Sequence, residues 1–193
     1  MYVRDAKNRD EAWLLGEIES MGLDEEAFRS RDYVLAVDEQ SNERVGFGRL
    51  RVHSAEPDVC ELTGIGVREV WRDQGVGAHV IERLLAEAGD AGFETVYVVS
   101  DQPGYLDQFG FSEIDRSELP EPLGDRFERK ADRLAGDVAA RAIDTDGFEM
   151  PPRLREAFKH AAADDDSDEE PPETAADFGI DTESATYKYD TGS

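Results

Sequence analysis

A fold of the α/β (α+β) class, with a mixed and mostly antiparallel sheet flanked by helices, is predicted by three features of this 193-residue chain. Three β-patterned segments follow one another between Tyr33 and Val67 at the spacing of an antiparallel meander. A long amphipathic segment from Gly75 to Ala91 puts Val76, Val80, Leu84, Leu85 and Ala88 on one helical face. The apolar run Thr95 to Val99 follows it and reads as a buried strand.

The elements can be justified in order. Tyr2 to Ala6 reads as a short first strand. Asp10 is placed to cap a helix whose apolar positions are Trp13, Leu14, Ile18 and Met21, and Gly22 ends it. A second short helix is expected over Glu25 to Arg31. The meander consists of Tyr33 to Val37, Arg44 to His53 and Val59 to Val67, with turns at Ser41-Asn42-Glu43 and Glu56-Pro57-Asp58. Gly92 stands where the long helix needs a C-terminal cap. Gly104 to Phe109 predicts a short helix ending at Gly110, and Phe111 to Ile114 a further strand. Beyond these, Leu119 to Leu134 is expected to be helical in its second half, Asp137 to Ile143 to form a strand, and Pro152 to Ala162 to form a helix opened by proline.

This pattern divides the chain into a core over residues 1–120, an extension over 121–162 that packs on it, and an acidic disordered tail over 163–193. Residues 164–193 hold 11 acidic side chains against one basic and few large apolar groups, too little to offset the entropy of ordering.

The net charge of −25 arises from 46 acidic against 21 basic residues. It is dispersed: residues 1–120 carry 26 acidic and 12 basic side chains. Lysine is confined to Lys7, Lys130, Lys159 and Lys188, and the other basic residues are arginines. Dispersed carboxylates with scarce lysine suit a salty, halophilic cytoplasm that screens repulsion. Nucleic acid is excluded as a partner because its phosphates would be repelled. A lone cysteine, Cys60, makes neither an internal disulfide nor a metal cluster and is expected to pack as a small apolar group. The three histidines lack metal-ligand spacing, so no metal is expected. Without an apolar run of about 18 residues or a signal-like N-terminus, neither membrane insertion nor export is expected, and the expected location is cytoplasmic.

The chemistry is carried by Leu62 to Val67, the loop after it, and the helix that follows. A helix's first N–H groups lack internal partners and its dipole favours negative charge, so a phosphate can bind there. Gly75 and Gly77 let backbone approach the anion, and Arg72 can add a charge-assisted bond. The loop is not a dinucleotide fingerprint, because a third glycine would fall at Val80. Nor is it a P-loop, which needs lysine and a hydroxyl residue after the glycines.

Arg72-Asp73-Gln74-Gly75-Val76-Gly77-Ala78 resembles the cofactor motif of the GNAT superfamily of N-acetyltransferases. The preceding strand, the following helix and strand, and the turn ending Phe109-Gly110-Phe111 occur in the same order, so the resemblance covers about residues 1–120. It implies acetyl-CoA as co-substrate, with the backbone around Ile65, Gly66 and Val67 bonding the pantetheine arm. The pyrophosphate would lie on Arg72, Gln74, Gly75, Val76, Gly77 and Ala78. Asp101 stands where an asparagine often contacts pantetheine. Glu61 matches the place of the base in the histone-acetylating branch, where a carboxylate would take the amine's proton directly or through water. The usual acidic tyrosine is replaced by Leu106, and the adjacent Tyr105 is the candidate acid or a packing residue. The implied acceptor is a small-molecule amine or a protein amine, attacked directly in a ternary complex. A catalytically weak acyl-CoA sensor of the same fold is the alternative, and a homodimer is left open.

Overall fold

The computed structural model describes residues 1–133 and 138–162. Among these, seven strands form one sheet: β1 (Tyr2–Asp5), β2 (Tyr33–Val37), β3 (Arg44–His53), β4 (Val59–Val67), β5 (Thr95–Ser100), β6 (Ser112–Ile114) and β7 (Ala139–Asp144). Their spatial order is β1-β2-β3-β4-β5-β7-β6. β2 to β4 pair antiparallel, as the meander predicts, β1 adds antiparallel to β2, and the one parallel contact joins β4 to β5. A parallel pair needs a crossover, which the helix α2 (Val76–Asp90) supplies.

Strand alternation decides what lies on each face. Val34, Ala36, Cys60, Leu62, Val96 and Val98 pack with the buried face of α2. Tyr33, Leu35, Val37 and Phe47 pack instead with Leu14 and Ile18 of α1 (Glu11–Ser20). The helix α4 (Glu121–Arg133) covers a third cluster through Leu123, together with Val59 and Ala140. Two glycines of β3 bring α2 close to the sheet. A β-carbon at Gly46 would come within 2.7 Å of Val76 Cγ1, and one at Gly48 within 2.8 Å of Val80 Cγ1. α3 (Pro103–Asp107) and α5 (Pro152–Lys159) complete the helices of the described residues.

The structure departs from expectation in four places. Glu25 to Arg31 is not a helix: Ala27 has a φ of 52°, and only Ser30–Asp32 makes a 3₁₀ turn. The buried Arg49 guanidinium takes the carbonyls of Glu26 and Ala27, at 2.7 and 3.2 Å, so these oxygens are not available to a helical ladder. Asp10 does precede α1, but its carboxylate accepts from Arg4, Arg44 and the Lys7 N–H rather than from the helix's first turn. α4 is helical from Glu121, not merely in the second half of the expected span. β7 lies inside the sheet, between β5 and β6. Residues 121–162 therefore supply a strand to the sheet itself. The expected tail, 163–193, and the expected element ends at Leu134 and Asp137 lie outside the described residues.

Candidate active site

β4 and β5 pair at only two positions, Cys60 with Val96 and Glu61 with Tyr97. A bulge in β4 helps to end the pairing. Phe47 faces Gly66 and Arg49 faces Thr63, so Gly48 alone opposes both Gly64 and Ile65. Gly64 takes the extra position with a φ of 60°, where a side chain would be strained. β5 instead follows β7 as far as Ser100 opposite Ala139. The diverging strands open a cleft of about 900 Å³ whose walls include Leu62 to Val67 on one side and Val98 to Gln102 on the other. Backbone groups along the opened edge of β4 have no strand partner on β5, so they are available to an extended ligand.

One end of this cleft reaches the start of α2. Gly75 is the N-cap, with a φ of 76°, and Val76 begins the helix. Arg72 lines the cleft and donates from Nε to the Val67 carbonyl at 3.3 Å. Tyr105 lines it as well. A β-carbon at Gly77 would lie 3.0 Å from the Tyr105 hydroxyl, so that glycine leaves room for the phenol over the first turn of α2. Burial, together with the Asp73 charge, raises the Tyr105 pKa against the opposing influence of Arg153. The hydroxyl therefore stays protonated at neutral pH.

α5 closes over the same end. The Leu154 carbonyl lies directly against Gly75, His79 stacks on Phe158 with ring centroids 3.7 Å apart, and Arg153 lines the cleft. The Gln74 amide is used to hold the segment after α5. It donates to the Ala162 carbonyl at 2.8 Å and accepts from the Ala162 N–H at 2.9 Å.

The opposite end is lined by Ser20 to Asp24, Lys130 and Arg133. Period two along β4 sends Glu61 and Thr63 toward α4, whose Arg126 and Lys130 stand one turn apart on the facing side. Lys130 Nζ donates to Glu61 at 3.0 Å, to Thr63 Oγ1 at 3.2 Å and to the Val99 carbonyl at 2.9 Å, so it ties the two walls together. Glu61 is fully buried and also meets His53 Nε2 at 2.9 Å and Arg126 Nε at 3.2 Å. Burial alone would raise its pKa. The His53 hydrogen bond and the Lys130 and Arg126 charges outweigh that and hold the carboxyl far below the usual range. Burial, reinforced by Glu61, pushes the neighbouring Cys60 thiol up to about 12, so it stays protonated and cannot serve as a ready nucleophile.

Of the residues singled out in the sequence, Ile65, Val67, Arg72, Gly75, Val76, Gly77, Asp101 and Tyr105 meet along this cleft. Glu61, Gln74 and Ala78 are not part of its wall: Glu61 lies behind Lys130, Gln74 holds Ala162, and Ala78 is buried in the core. Sequence reasoning missed Thr63, Lys130, Arg133 and Arg153. The signal for two of them was present, since Arg126, Lys130 and Arg133 form a basic stripe at helical spacing on a helix that must bury one face.

A sequence model described as Acetyltransferase (GNAT) family matches residues 3–111. The chain belongs to the GNAT acetyltransferase family. An uncharacterised N-acetyltransferase, CT2212, of Chlorobaculum tepidum is 24% identical over 82 residues, which is 42% of this chain and 53% of that protein. The chain thus matches about half the length of this curated relative. Among solved structures, Rv2747 of Mycobacterium tuberculosis, in complex with CoA, superposes with a TM-score of 0.60 at 18% identity, covering 75% of this chain and 99% of that one. The N-acetylglutamate synthase of Neisseria gonorrhoeae, complexed with CoA and N-acetyl-glutamate, gives 0.60 at 16% identity over 75% of this chain and 35% of that one. At such identities the likeness establishes the GNAT fold. No helix among the described residues is long and apolar enough to cross a membrane.

Proposed function

We propose that this GNAT protein transfers the acetyl group of acetyl-CoA to a primary amine by direct attack within a ternary complex. The observation that carries this reading is the strand split, which runs from the unpaired edge of β4 to the glycine-rich start of α2. The backbone at Ile65 and Val67 would bond the amide-bearing arm of the cofactor, and Asp101 faces it across the cleft. The N–H groups of residues 74 to 78, with the Arg72 guanidinium, would take the pyrophosphate. Gln74 and Ala78 contribute backbone alone. Arg153 adds a second guanidinium at this end.

The amine nitrogen attacks the thioester carbonyl, the carbon–sulfur bond breaks, and the departing thiolate takes a proton from water in the cleft. Tyr105, the candidate acid from the sequence, packs over the first turn of α2. Glu61, first suggested as the base by its place before the motif, is assigned instead to fixing Lys130 and Arg126. Its oxygens are committed to three cationic or donor groups and it holds its proton poorly. Water in the open cleft is the proposed acceptor of the amine's proton. The dispersed acidity supports a salty cytoplasm as the place of work.

The replacement of the usual tyrosine by the buried Leu106 favours a second reading, an acyl-CoA sensor without turnover. Thiol release from acetyl-CoA, followed at molar salt with a panel of amines and mass-spectrometric identification of the product, separates the two. Tight cofactor binding with no acetylated product from any amine would support the sensor and remove the enzyme.

A further inference from the structure

The end of the cleft away from α2 is cationic in a chain whose net charge is −25. Lys130 and Arg133 form its wall beside Asp24. Asp24 is paired with Arg126, and Glu61 with Arg126 and Lys130, so both of these acids already have cationic partners. Arg49, only 1% exposed, donates to two carbonyls and pairs with no carboxylate among the described residues. It stands with Tyr33 directly behind Gly64, whose would-be β-carbon lies 3.8 Å from Arg49 Cγ and 3.7 Å from the Tyr33 hydroxyl. Arg126 Nη2, Arg49 Nε and the Tyr33 hydroxyl are buried with no hydrogen-bond partner. Buried donors without acceptors are costly, and a surplus of guanidinium over carboxylate is a field that an anion would relieve.

We infer that the acceptor carries a carboxylate as well as its amine, and that this carboxylate binds at the α4 end of the cleft against Arg133. The inference rests on the acetyl-transfer reading, which places the cofactor at the α2 end and leaves this end to the acceptor. An α-amino acid, or a small amine bearing a carboxylate, meets both requirements. Its anion faces Arg133, and its amine points toward the strand split. Polyamines and lysine-rich peptides fit poorly, because they would bring cations to a cationic wall.

The test compares L-amino acids, their carboxamides and spermidine as acceptors, with cofactor binding measured separately by calorimetry. Amino acids should exceed their carboxamides in kcat/KM by about tenfold or more, the scale of one charge-assisted contact. Arg133→Gln, at an exposed position, should raise KM for amino acids by about tenfold while leaving kcat and CoA affinity within about twofold, and should erase the preference over carboxamides. Equal or better turnover of carboxamides or spermidine, or an unaltered preference in Arg133→Gln, would overturn the inference alone. Failure of the wild-type chain to bind CoA would overturn the acetyl-transfer reading beneath it.

Discussion

The carbonyl of Leu154 lies directly against Gly75, so the C-terminal helix rests on the residue that opens α2. Gly75 is required twice over: its φ of 76° is costly for other residues, and a β-carbon would strike backbone. Gly75→Ala should therefore lower stability, by about 2 kcal/mol or more, in addition to any loss of cofactor binding. Gly77→Glu meets first the end of a tyrosine side chain and should stay folded. It should lose at least about tenfold in acetyl-CoA affinity, roughly 1.4 kcal/mol. Chemical denaturation and calorimetry on both variants read the two effects apart, and unchanged affinity in Gly77→Glu would remove the proposed anion site.

Glu61→Gln leaves Arg126 and Lys130 buried beside a neutral group, so the main loss should be in stability, about 3 kcal/mol. Turnover of the folded fraction should fall less than the 10² to 10⁴-fold, as an order of magnitude, that removal of a general base brings. The native pH–rate profile should show no break in the ordinary carboxylate range and should rise with deprotonation of the acceptor's own amine. A break near pH 4 to 5, roughly the normal glutamate region, that disappears in Glu61→Gln would restore Glu61 as the base.

Arg153→Ala should weaken CoA binding by about tenfold and reduce its salt dependence, because one guanidinium is withdrawn from the proposed phosphate end of the cleft. Arg153 is exposed, so the thermal midpoint should scarcely move. Unchanged CoA affinity at low and high salt would show that α5 contributes packing alone.

Asp10 is fully buried, and the hydrogen bond from Arg4, aided by Lys7 and Arg44, holds its carboxyl well below the usual range against the effect of burial. With Glu61 it makes the unfolded chain bind more protons than the folded one as pH falls through the ordinary carboxylate range. The stabilisation is therefore complete above that range, about pH 5, and declines as pH drops toward the folded-state values. Asp10→Asn should lower the thermal midpoint at pH 7 and flatten this acid dependence. A midpoint in the variant that falls with acid as steeply as the wild type would contradict the assignment.

Truncation after residue 163 should leave turnover and thermal midpoint in molar salt nearly unchanged. Removal of α5 as well should lower both, since Leu154 and Phe158 leave the core and Ala162 releases Gln74. If the first cut is as damaging as the second, the acidic residues beyond 163 are needed for the fold.

The α2 region was legible because its information is local: an apolar stripe at helical spacing, preceded by glycines and followed by Gly92. The fate of Glu25 to Arg31 was not, because Arg49 captures its carbonyls from another strand. Glu61 was singled out as the candidate base by its place before the motif, yet its surroundings come from Arg126 and Lys130, 65 and 69 residues further along. Gly75 illustrates the same limit. A glycine beside an anion motif suggests ligand approach, while the atom that forbids a side chain there belongs to Leu154.

The place of β7 between β5 and β6 bears on how the protein is made. A ribosome delivers β5 and β6 before the strand that joins them, so a nascent chain ending before residue 139 presents an open edge at β5. Such an edge can recruit a neighbouring chain. The sheet is completed only when β7 is inserted, and the α5 segment that covers the start of α2 emerges later still. Fragments equivalent to residues 1–120 are therefore unfinished sheets, and the proposed acetyl-transfer site becomes whole only once α5 has left the ribosome.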